Sequence, residues 1–207
     1  MTATDKKYPN TDPLLIAVES DQEMVARDGV TLRADIYHPI GAGKYPALVC
    51  RTPYQKLTPR YIEIATDLAQ RGYCIVVQDF RGRYASDGDY EWMWRERTET
   101  HDTEDGYDTI EWLGLQAWSD GRVGTMGGSY AGSDQSAAAT LNPPHLRAMI
   151  VAVGASNYYH SSMRQNGALE QRFHIYIYRM AITSKEANAD PGLRAALTRA
   201  FTEEMPA

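Results

Sequence analysis

Short apolar runs alternate with amphipathic segments through the middle of the chain, and this alternation predicts a parallel sheet crossed by helices. Residues 45–50 and 74–77 have the length and composition of strands that are buried on both faces. Between them, residues 59–71 carry apolar side chains at helical spacing, and Gly72 follows as a C-terminal cap. A strand, a helix and a strand of these lengths predict a right-handed crossover that joins parallel strands.

The segments on either side complete the prediction of an α/β fold. Residues 22–26 and 30–37 flank an Asp28-Gly29 turn, which is typical of an antiparallel hairpin. The other predicted elements are a helix at residues 103–115, strands at residues 122–126 and 146–153, and an alanine-rich helix after residue 129. After residue 154 we expect helices near residues 176–183 and 190–204 and no further buried strand.

Residues 119–141 contain the segment with the clearest chemistry. A polar turn at residues 119–121, a short strand, two glycines, Ser129 and then an alanine-rich helix predict a sharp bend with the serine at its apex. Gly127, Ala131 and Gly132 supply the small neighbours that such a nucleophile elbow needs. A plain tight turn into a helix is the alternative. A phosphate-binding loop is disfavoured because no Gly-Lys-Ser/Thr follows and the Gly-x-Gly-x-x-Gly spacing is not met.

A serine hydroxyl needs a base, a group that orients the base, and donors for the developing oxyanion. The elbow predicts one donor by its geometry, the backbone N–H of Tyr130. The second donor is expected from the loop at residues 51–58, where Tyr54 is the leading polar candidate.

The base and its orienting acid are not found in the sequence. His145 precedes the last predicted strand and is expected at the opposite edge of the sheet. His160 follows that strand, but no acid stands near it, so a histidine in a loop or cap helix is the favoured interpretation. We therefore expect the triad acid and histidine to lie beyond residue 207, and the chain to be inactive alone.

Composition narrows the classes of partner. The 207 residues carry a net charge of -6 with scattered Lys and Arg, which argues against a nucleic-acid partner. No secretory signal or membrane span is visible, so we expect a cytoplasmic protein. Cys50 and Cys74 are interpreted as buried thiols, with a disulfide the minor alternative. No metal or other cofactor is expected.

Several stretches together resemble one family of α/β-hydrolases. They are Arg-Asp-Gly-Val-Thr-Leu at residues 27–32 with Ala-Asp-Ile-Tyr at 34–37, Arg-Thr-Pro-Tyr at 51–54, Gln-Asp-Phe-Arg-Gly-Arg at 78–83 with Ala-Ser-Asp-Gly at 85–88, Gly-Arg-Val-Gly at 121–124, and Gly-Gly-Ser-Tyr-Ala-Gly at 127–132. In this order they resemble the CocE/NonD group, which includes cocaine esterase, X-Pro dipeptidyl-peptidases and α-amino-acid ester hydrolases. The elbow of that family is similar to Gly-x-Ser-Tyr-x-Gly, so Ala131 fits it.

The resemblance implies a serine hydrolase that cleaves esters or amides, X-Pro peptides included, through an acyl-enzyme. Ser129 matches the nucleophile, and the Tyr54 hydroxyl and the Tyr130 backbone N–H match the oxyanion hole. It also implies the N-terminal part of the hydrolase domain (21–155) and the start of a helical cap (156–207), and the polar start of the chain with its two prolines predicts an N-terminal arm (1–20) before them. The catalytic aspartate and histidine and a C-terminal jelly-roll domain are expected beyond this chain.

The expected partners are a small-molecule ester or amide, or a short peptide, together with the missing C-terminal part of the same protein. An uncovered strand edge near Val151 also predicts self-association, and so a homo-oligomer. No membrane partner is expected. The competing hypothesis is a non-catalytic binding module that retains the sheet.

Three further groups of residues were also interpreted, two of them with an alternative. Asp79, Arg81, Asp87 and Asp89 suggest a metal cluster or, as we favour, a loop held by Asp–Arg hydrogen bonds. The acids at positions 99–108 are interpreted as favouring a helix N-terminus; they are Glu99, Asp102, Glu104, Asp105 and Asp108. Five aromatic residues are candidates for an acyl pocket or for ordinary packing; they are Trp92, Trp94, Tyr158, Tyr159 and Tyr176.

Overall fold

The computed structural model describes residues 13–90, 101–155, 157 and 159–204. Within them, six strands form one mixed sheet in the spatial order β1-β2-β4-β3-β5-β6. The strands are β1 (Ile16–Val25), β2 (Thr31–Pro39), β3 (Tyr45–Thr52), β4 (Cys74–Asp79), β5 (Ser119–Gly128) and β6 (Leu146–Ala152). β1 and β2 form an antiparallel hairpin, β2 is antiparallel to β4, and β4, β3, β5 and β6 are parallel. The predicted mostly parallel sheet with an N-terminal hairpin is confirmed.

Helices cover both faces of this sheet. α1 (Pro59–Gln70) packs Ala65 and Ala69 against Ile75 and Val77 of β4. On the opposite face, α2 (Asp102–Gly114) and α3 (Tyr130–Ala139) pack around Val76, the residue between those two. Since successive side chains of a strand point to opposite faces, β4 is buried on both sides, as its continuous apolar run predicted.

Two boundaries differ from the predicted ones. β1 begins at Ile16, inside the segment predicted as an N-terminal arm, because it pairs with Pro39 at the end of β2. The polar residues 119–121 lie within β5 and not before it: Ser119 pairs with Tyr45, and a register shift follows. The turn residues therefore form an irregularity inside a longer strand. The division into arm, hydrolase part and cap stays a prediction.

The segment after β6 is helical apart from a short hairpin. It contains a π-helical turn (Tyr159–Met163), β7 (Arg164–Gln165), β8 (Ala168–Leu169), α4 (Arg172–Ile182), α5 (Lys185–Ala189), α6 (Pro191–Arg199) and a second π-helical turn (Ala200–Glu204). Asp190 caps α6 by accepting the backbone N–H groups of Gly192 and Leu193. Both predicted helices are present, with α4 starting earlier than expected. Within the described residues no buried strand follows residue 154.

β6 forms the end of the described sheet, and its apolar side chains are open to solvent. Ile150 is 63% exposed, and Met149 and Val151 are exposed as well. This agrees with the predicted uncovered edge, whereas self-association stays a prediction. Among the helices that are described, none is long and apolar enough to cross a bilayer.

Candidate active site

Ser129 occupies the bend between β5 and α3 in a backbone conformation that residues other than glycine rarely adopt. Its φ is 59° and its ψ is -119°. The bend is held because Ser129 donates its N–H to the carbonyl of Ala152 at 2.9 Å and accepts the N–H groups of Gly132 and Ser133. Serine usually caps a helix with its side chain, but the Ser129 hydroxyl makes no such bond and the residue is exposed. Its oxygen is therefore not used in capping the helix and can serve other chemistry.

The residues around Ser129 must be small because neighbouring backbone segments lie very close to them. A Cβ at Gly127 would lie 2.4 Å from the carbonyl oxygen of Ala131, and a Cβ at Gly132 would lie 3.0 Å from that of Ala152. Ala131 is itself 1% exposed, so its methyl group fills the available space. The predicted strand, sharp turn and helix are confirmed as a backbone arrangement.

Gln135 supports the bend from within α3, and sequence reasoning missed it. Its side-chain amide donates to the carbonyl oxygen of Ala131 at 2.6 Å, and it also reaches those of Gly127 and Ile150. The amide oxygen accepts the hydroxyl of Thr125 at 2.8 Å. A single buried glutamine thus joins β5, α3 and β6. Its position six residues after Ser129, one and a half turns into the helix, carries no sequence signal of this role.

Tyr54 lies in the loop after β3, and side chains fix its backbone on both sides. Its N–H donates to the hydroxyl oxygen of Thr52 at 3.0 Å, and its carbonyl accepts the hydroxyl of Thr58 at 3.0 Å. Asp79 accepts the N–H of Lys56 at 2.7 Å, and Arg83 donates to the carbonyl of Pro53 at 3.1 Å. The loop is therefore held by residues from several parts of the chain.

The structure brings Tyr54, Ser129 and the Tyr130 backbone together. Burial raises the pKa of Tyr54 above its usual value, while hydrogen bonding with Tyr176, with the Ser129 side chain and with the Tyr130 N–H acts to lower it. The hydroxyl oxygens of Tyr54 and Tyr176 are 2.9 Å apart. All three residues that the sequence nominated for the site thus meet at the carboxyl edge of the sheet.

The side chain of Tyr130 anchors the first turn of α3. Its ring packs edge-on against Phe80, with ring centroids 5.1 Å apart, and its hydroxyl donates to the carboxylate of Asp102 at 3.1 Å. Burial raises the pKa of Tyr130 well above its ordinary value. The ring stays neutral and fixed, so the backbone N–H of Tyr130 is held in one direction at the positive end of the helix.

Three of the acids that were interpreted as favouring a helix N-terminus lie in the first turn of α2, namely Asp102, Glu104 and Asp105, and some acids of this helix also form ion pairs. Asp105 is buried and accepts two hydrogen bonds from Arg81, the shorter at 2.6 Å, and Asp108 pairs with Arg27. Arg81 also binds Asp28, so the favoured Asp–Arg network is confirmed with partners outside the loop. Glu99 lies outside the described residues.

The carboxylate considered for metal binding accepts a backbone hydrogen bond, and the two cysteines are buried thiols. Burial raises the pKa of Asp79 to about 6, and its carboxylate accepts the backbone N–H of Lys56. In the described part of the chain, no group of three or more His, Cys, Asp or Glu is arranged to hold a metal ion. Cys50 and Cys74 are free and buried, as interpreted, and burial raises the pKa of each to about 12.

The histidines lie where the sequence placed them. His145 binds Glu111 at 2.7 Å at the amino end of β6, on the far side of the sheet from Ser129. His160 is exposed, with its ring centroid 4.9 Å from that of Tyr159. No hydrogen bond joins Ser129 to a histidine within the described residues. A groove of about 890 Å³, lined by Leu48, Tyr73 and Arg147 among others, also lies at that far end, away from Ser129.

The aromatic candidates separate into different environments. Tyr176 contacts Tyr54 and is part of the site, whereas Tyr159 is 57% exposed. Trp92, Trp94 and Tyr158 lie outside the described residues.

A family model matches this part of the chain. The family model for X-Pro dipeptidyl-peptidases (S15 family) matches residues 28–205, which includes the elbow, the Tyr54 loop and the helices after β6. The chain belongs to this family.

Individual members of this group of hydrolases are similar over the same part. Cocaine esterase from Rhodococcus sp. (strain MB1 Bresler) is 34% identical over 151 residues, which cover 69% of this chain and 25% of that protein. The solved aminopeptidase from the marine sediment archaeon Thaumarchaeota archaeon is 30% identical with a TM-score of 0.70, over 87% of this chain and 33% of its own. A CocE/NonD family hydrolase from Staphylococcus aureus has a TM-score of 0.72 at 24% identity, over 90% and 36% of the two chains.

These comparisons settle the fold of this S15 family chain. It has the N-terminal part of an α/β-hydrolase fold, as predicted. The chain spans about a quarter of the length of cocaine esterase and about a third of the solved structures it matches.

Proposed function

We propose that this S15 family chain carries the nucleophile and the oxyanion hole of a serine hydrolase that cleaves ester or amide bonds, X-Pro peptides included. The observation that supports it most is the meeting of the Tyr54 phenol with the Ser129 hydroxyl and the Tyr130 N–H at a strained bend. The proposed substrates are small-molecule esters or amides and short peptides, since the relatives include an esterase and an aminopeptidase.

In the proposed reaction, a base removes the proton of Ser129 Oγ while the oxygen attacks the substrate carbonyl carbon. The carbonyl π electrons move onto its oxygen, which accepts hydrogen bonds from the Tyr54 hydroxyl and the Tyr130 N–H. Each such donor contributes a few kcal/mol, or about a hundredfold in rate. Collapse of the tetrahedral intermediate releases the alcohol or amine, which takes the proton from the base, and water then hydrolyses the acyl-enzyme.

The proposal takes the base and its orienting acid from positions after residue 207 in the full-length protein. His145 is paired with Glu111, and no hydrogen bond connects His160 with Ser129 among the described residues. Residues 1–207 alone should give no burst of acyl-enzyme with an activated ester. A stoichiometric burst that is lost in Ser129→Ala would instead place a base within this chain, with His160 as the first candidate.

The test is active-site labelling of the full-length protein with a fluorophosphonate, followed by turnover of an ester and X-Pro amide panel. We expect labelling and turnover in the wild type and neither in Ser129→Ala. Ser136→Ala is the matched control, because Ser136 lies on the same helix with an exposed side chain. Labelling that survives in Ser129→Ala would refute the proposal.

The same experiment separates the alternative of a non-catalytic binding module. A folded full-length protein that neither reacts with fluorophosphonate nor hydrolyses the panel would favour that alternative. The strained backbone of Ser129 weighs against it, because strain of this kind is concentrated at functional sites.

A further inference from the structure

Helix α4, which follows the last strand of the sheet, places the phenol of Tyr176 against that of Tyr54. The hydroxyl oxygens of Tyr54 and Tyr176 are 2.9 Å apart, and the two rings meet edge-on with centroids 6.4 Å apart. Phe173, one turn earlier on α4, packs edge-on against Tyr176. Tyr176 is thus held in a defined orientation at the proposed oxyanion hole.

Arg83 connects the Tyr54 loop with the end of α4. It is 1% exposed, and its guanidinium donates to the carbonyl of Pro53 at 3.1 Å, to the carbonyl of Met180 at 3.2 Å and to the hydroxyl of Thr183 at 2.9 Å. Pro53 directly precedes Tyr54, and Met180 lies one helical turn after Tyr176. A single side chain therefore sets the position of both tyrosines relative to each other.

The charge of Arg83 favours a position of α4 close to its guanidinium. A buried cation is costly unless it is compensated, and among the ion pairs of the described residues none joins Arg83 to a carboxylate, although its charge acts on Glu186 of α5. Its guanidinium lies at the C-terminal end of α4, where the helix dipole is negative, and about 5 Å from the ring centroids of Tyr84 and Tyr90. Movement of α4 away from Arg83 would remove part of this compensation.

Proton counting shows which direction of the hydrogen bond between the phenols would serve the proposed reaction, since either oxygen can be the donor at this distance. A phenol oxygen carries one proton and two lone pairs, and the Tyr130 N–H can only donate. When Tyr176 also donates to Tyr54, the single Tyr54 proton is left for Ser129 and, during reaction, for the substrate oxyanion. Hydrogen bonds in such a chain polarise one another, so a donor from Tyr176 strengthens the bond that Tyr54 donates.

We propose that Tyr176 and Arg83 are positioning residues of the oxyanion hole: Tyr176 donates to the Tyr54 oxygen, and Arg83 holds α4 where this bond forms. The inference rests on the proposed function, in which Tyr54 binds the oxyanion. It adds that the hydrolase domain and the first cap helices act as one unit in catalysis.

The first test compares two tyrosines of the same helix in the full-length enzyme. Tyr176→Phe removes the hydroxyl at Tyr54, whereas Tyr178→Phe removes one that is bonded to Thr198 and keeps the ring stacked on Phe201. We expect kcat for an ester to fall about tenfold in Tyr176→Phe with KM changed by less than about twofold, and neither to change in Tyr178→Phe. Equal kcat in the two variants would overturn the role of Tyr176.

The second test measures the hydrogen bond without any catalysis. The pKa of Tyr54 can be followed in the full-length protein by NMR of tyrosine labelled with 13C at Cζ, with Tyr54→Phe identifying the signal. Tyr176→Phe should raise the pKa of Tyr54, because a donor to the phenolate is lost, while Ser129, the Tyr130 N–H and Asp134 stay in place. An unchanged pKa would contradict the proposed bond.

The third test concerns Arg83. Arg83→Lys keeps the charge but loses the planar fork, and it should lower kcat about as much as Tyr176→Phe. The double variant should be no slower than Tyr176→Phe, because both changes act through the same bond. A double variant in which the two reductions in kcat multiply would overturn the role of Arg83. Where Arg83→Lys does not fold, Thr183→Val removes one acceptor alone, and it should lower kcat in the wild type but not in Tyr176→Phe.

These experiments distinguish a failure of this inference from a failure of the proposed function. Activity that is lost in Ser129→Ala but equal in Tyr176→Phe and Tyr178→Phe would leave the hydrolase proposal standing and remove the positioning roles. Full activity in Ser129→Ala would remove both.

Discussion

The elbow at Ser129 and the loop that carries Tyr54 face each other, but they are held in place in different ways. The elbow depends first on its own neighbours, because Gly127 and Gly132 admit close backbone contact, and Gln135 then braces it. The Tyr54 loop depends on side chains from elsewhere in the chain, such as Asp79 and Arg83. A local motif therefore meets a partner whose position is set by tertiary contacts.

This difference predicts which kind of substitution each half of the site tolerates. The elbow should fail when a single atom is added to its backbone, because close-packed backbone cannot move aside. The loop should weaken in steps, since several independent hydrogen bonds hold it and each contributes about 1 kcal/mol. The following variants, from the largest expected effect to the smallest, test that contrast.

Gly127→Ala should be the most damaging change at the elbow. The added Cβ would lie 2.4 Å from the carbonyl oxygen of Ala131, so the bend must shift, and we expect the free energy of unfolding to fall by about 3 kcal/mol. Urea denaturation of the full-length protein measures it. Gly167→Ala is the control, because Gly167 has a φ of 88° but open space around it, so only the backbone penalty of about 1 kcal/mol applies. Equal losses would contradict the contact argument.

Tyr54→Phe should change the rate rather than the stability. Loss of the phenol removes one proposed oxyanion donor, and we expect kcat to fall about a hundredfold, or about 2.7 kcal/mol, with a stability change below about 1 kcal/mol. Ester turnover and urea denaturation report the two quantities. A kcat within about threefold of the wild type would show that Tyr54 is not a donor to the oxyanion.

Thr52→Val should loosen the Tyr54 loop in part. Its hydroxyl accepts the N–H of Tyr54 and donates to the hydroxyl of Tyr61, and the residue is fully buried. We expect a loss of about 1.5 kcal/mol in unfolding free energy and a fall of a few fold in kcat. Tyr61→Phe, which removes only the second bond, separates the two contributions. The contrast between elbow and loop would fail if Thr52→Val cost more stability than Gly127→Ala.

Asp134, behind the elbow on α3, should give stability a pH dependence of its own. Its carboxylate lies 3.6 Å from Arg51, and burial raises its pKa to about 7 despite that neighbour. An acid with a raised pKa in the folded state binds its proton more tightly there than when unfolded, so its contribution to stability falls as pH rises from about 4 to about 7.

Thermal unfolding of the full-length protein across this pH window measures the effect. The wild type should lose stability relative to Asp134→Asn as the pH rises across this window, because the amide does not titrate. Parallel curves for the two proteins would show that Asp134 does not carry the raised pKa. The acids with lowered pKa values, such as Asp28 at about 2, act below this window.

Much of the fold could be predicted because it depends on local chemistry and on the hydrophobic pattern. The Asp28-Gly29 turn and the alternation of residues 30–37 specified the hairpin, and the apolar run of β4 specified a strand buried on both faces. The start of β1 at Ile16 was not predicted, because its apolar run is short and is followed by polar residues; pairing with β2 and packing of Ile16 beside α1 extend the strand there. The ion-pair partners of the acids in α2 likewise lie outside that helix, so the helical pattern could not predict them.

The sequence by itself determined the bend at Ser129, because glycine and alanine at fixed spacing permit a backbone conformation that larger residues exclude. It also nominated Tyr54, through the order of strand and loop. Only the tertiary structure decided that Tyr176 meets Tyr54, that Arg83 joins them, and that Gln135 braces the bend. The physical reason is distance along the chain: these contacts depend on how separate elements pack, and no local preference of the residues encodes that packing.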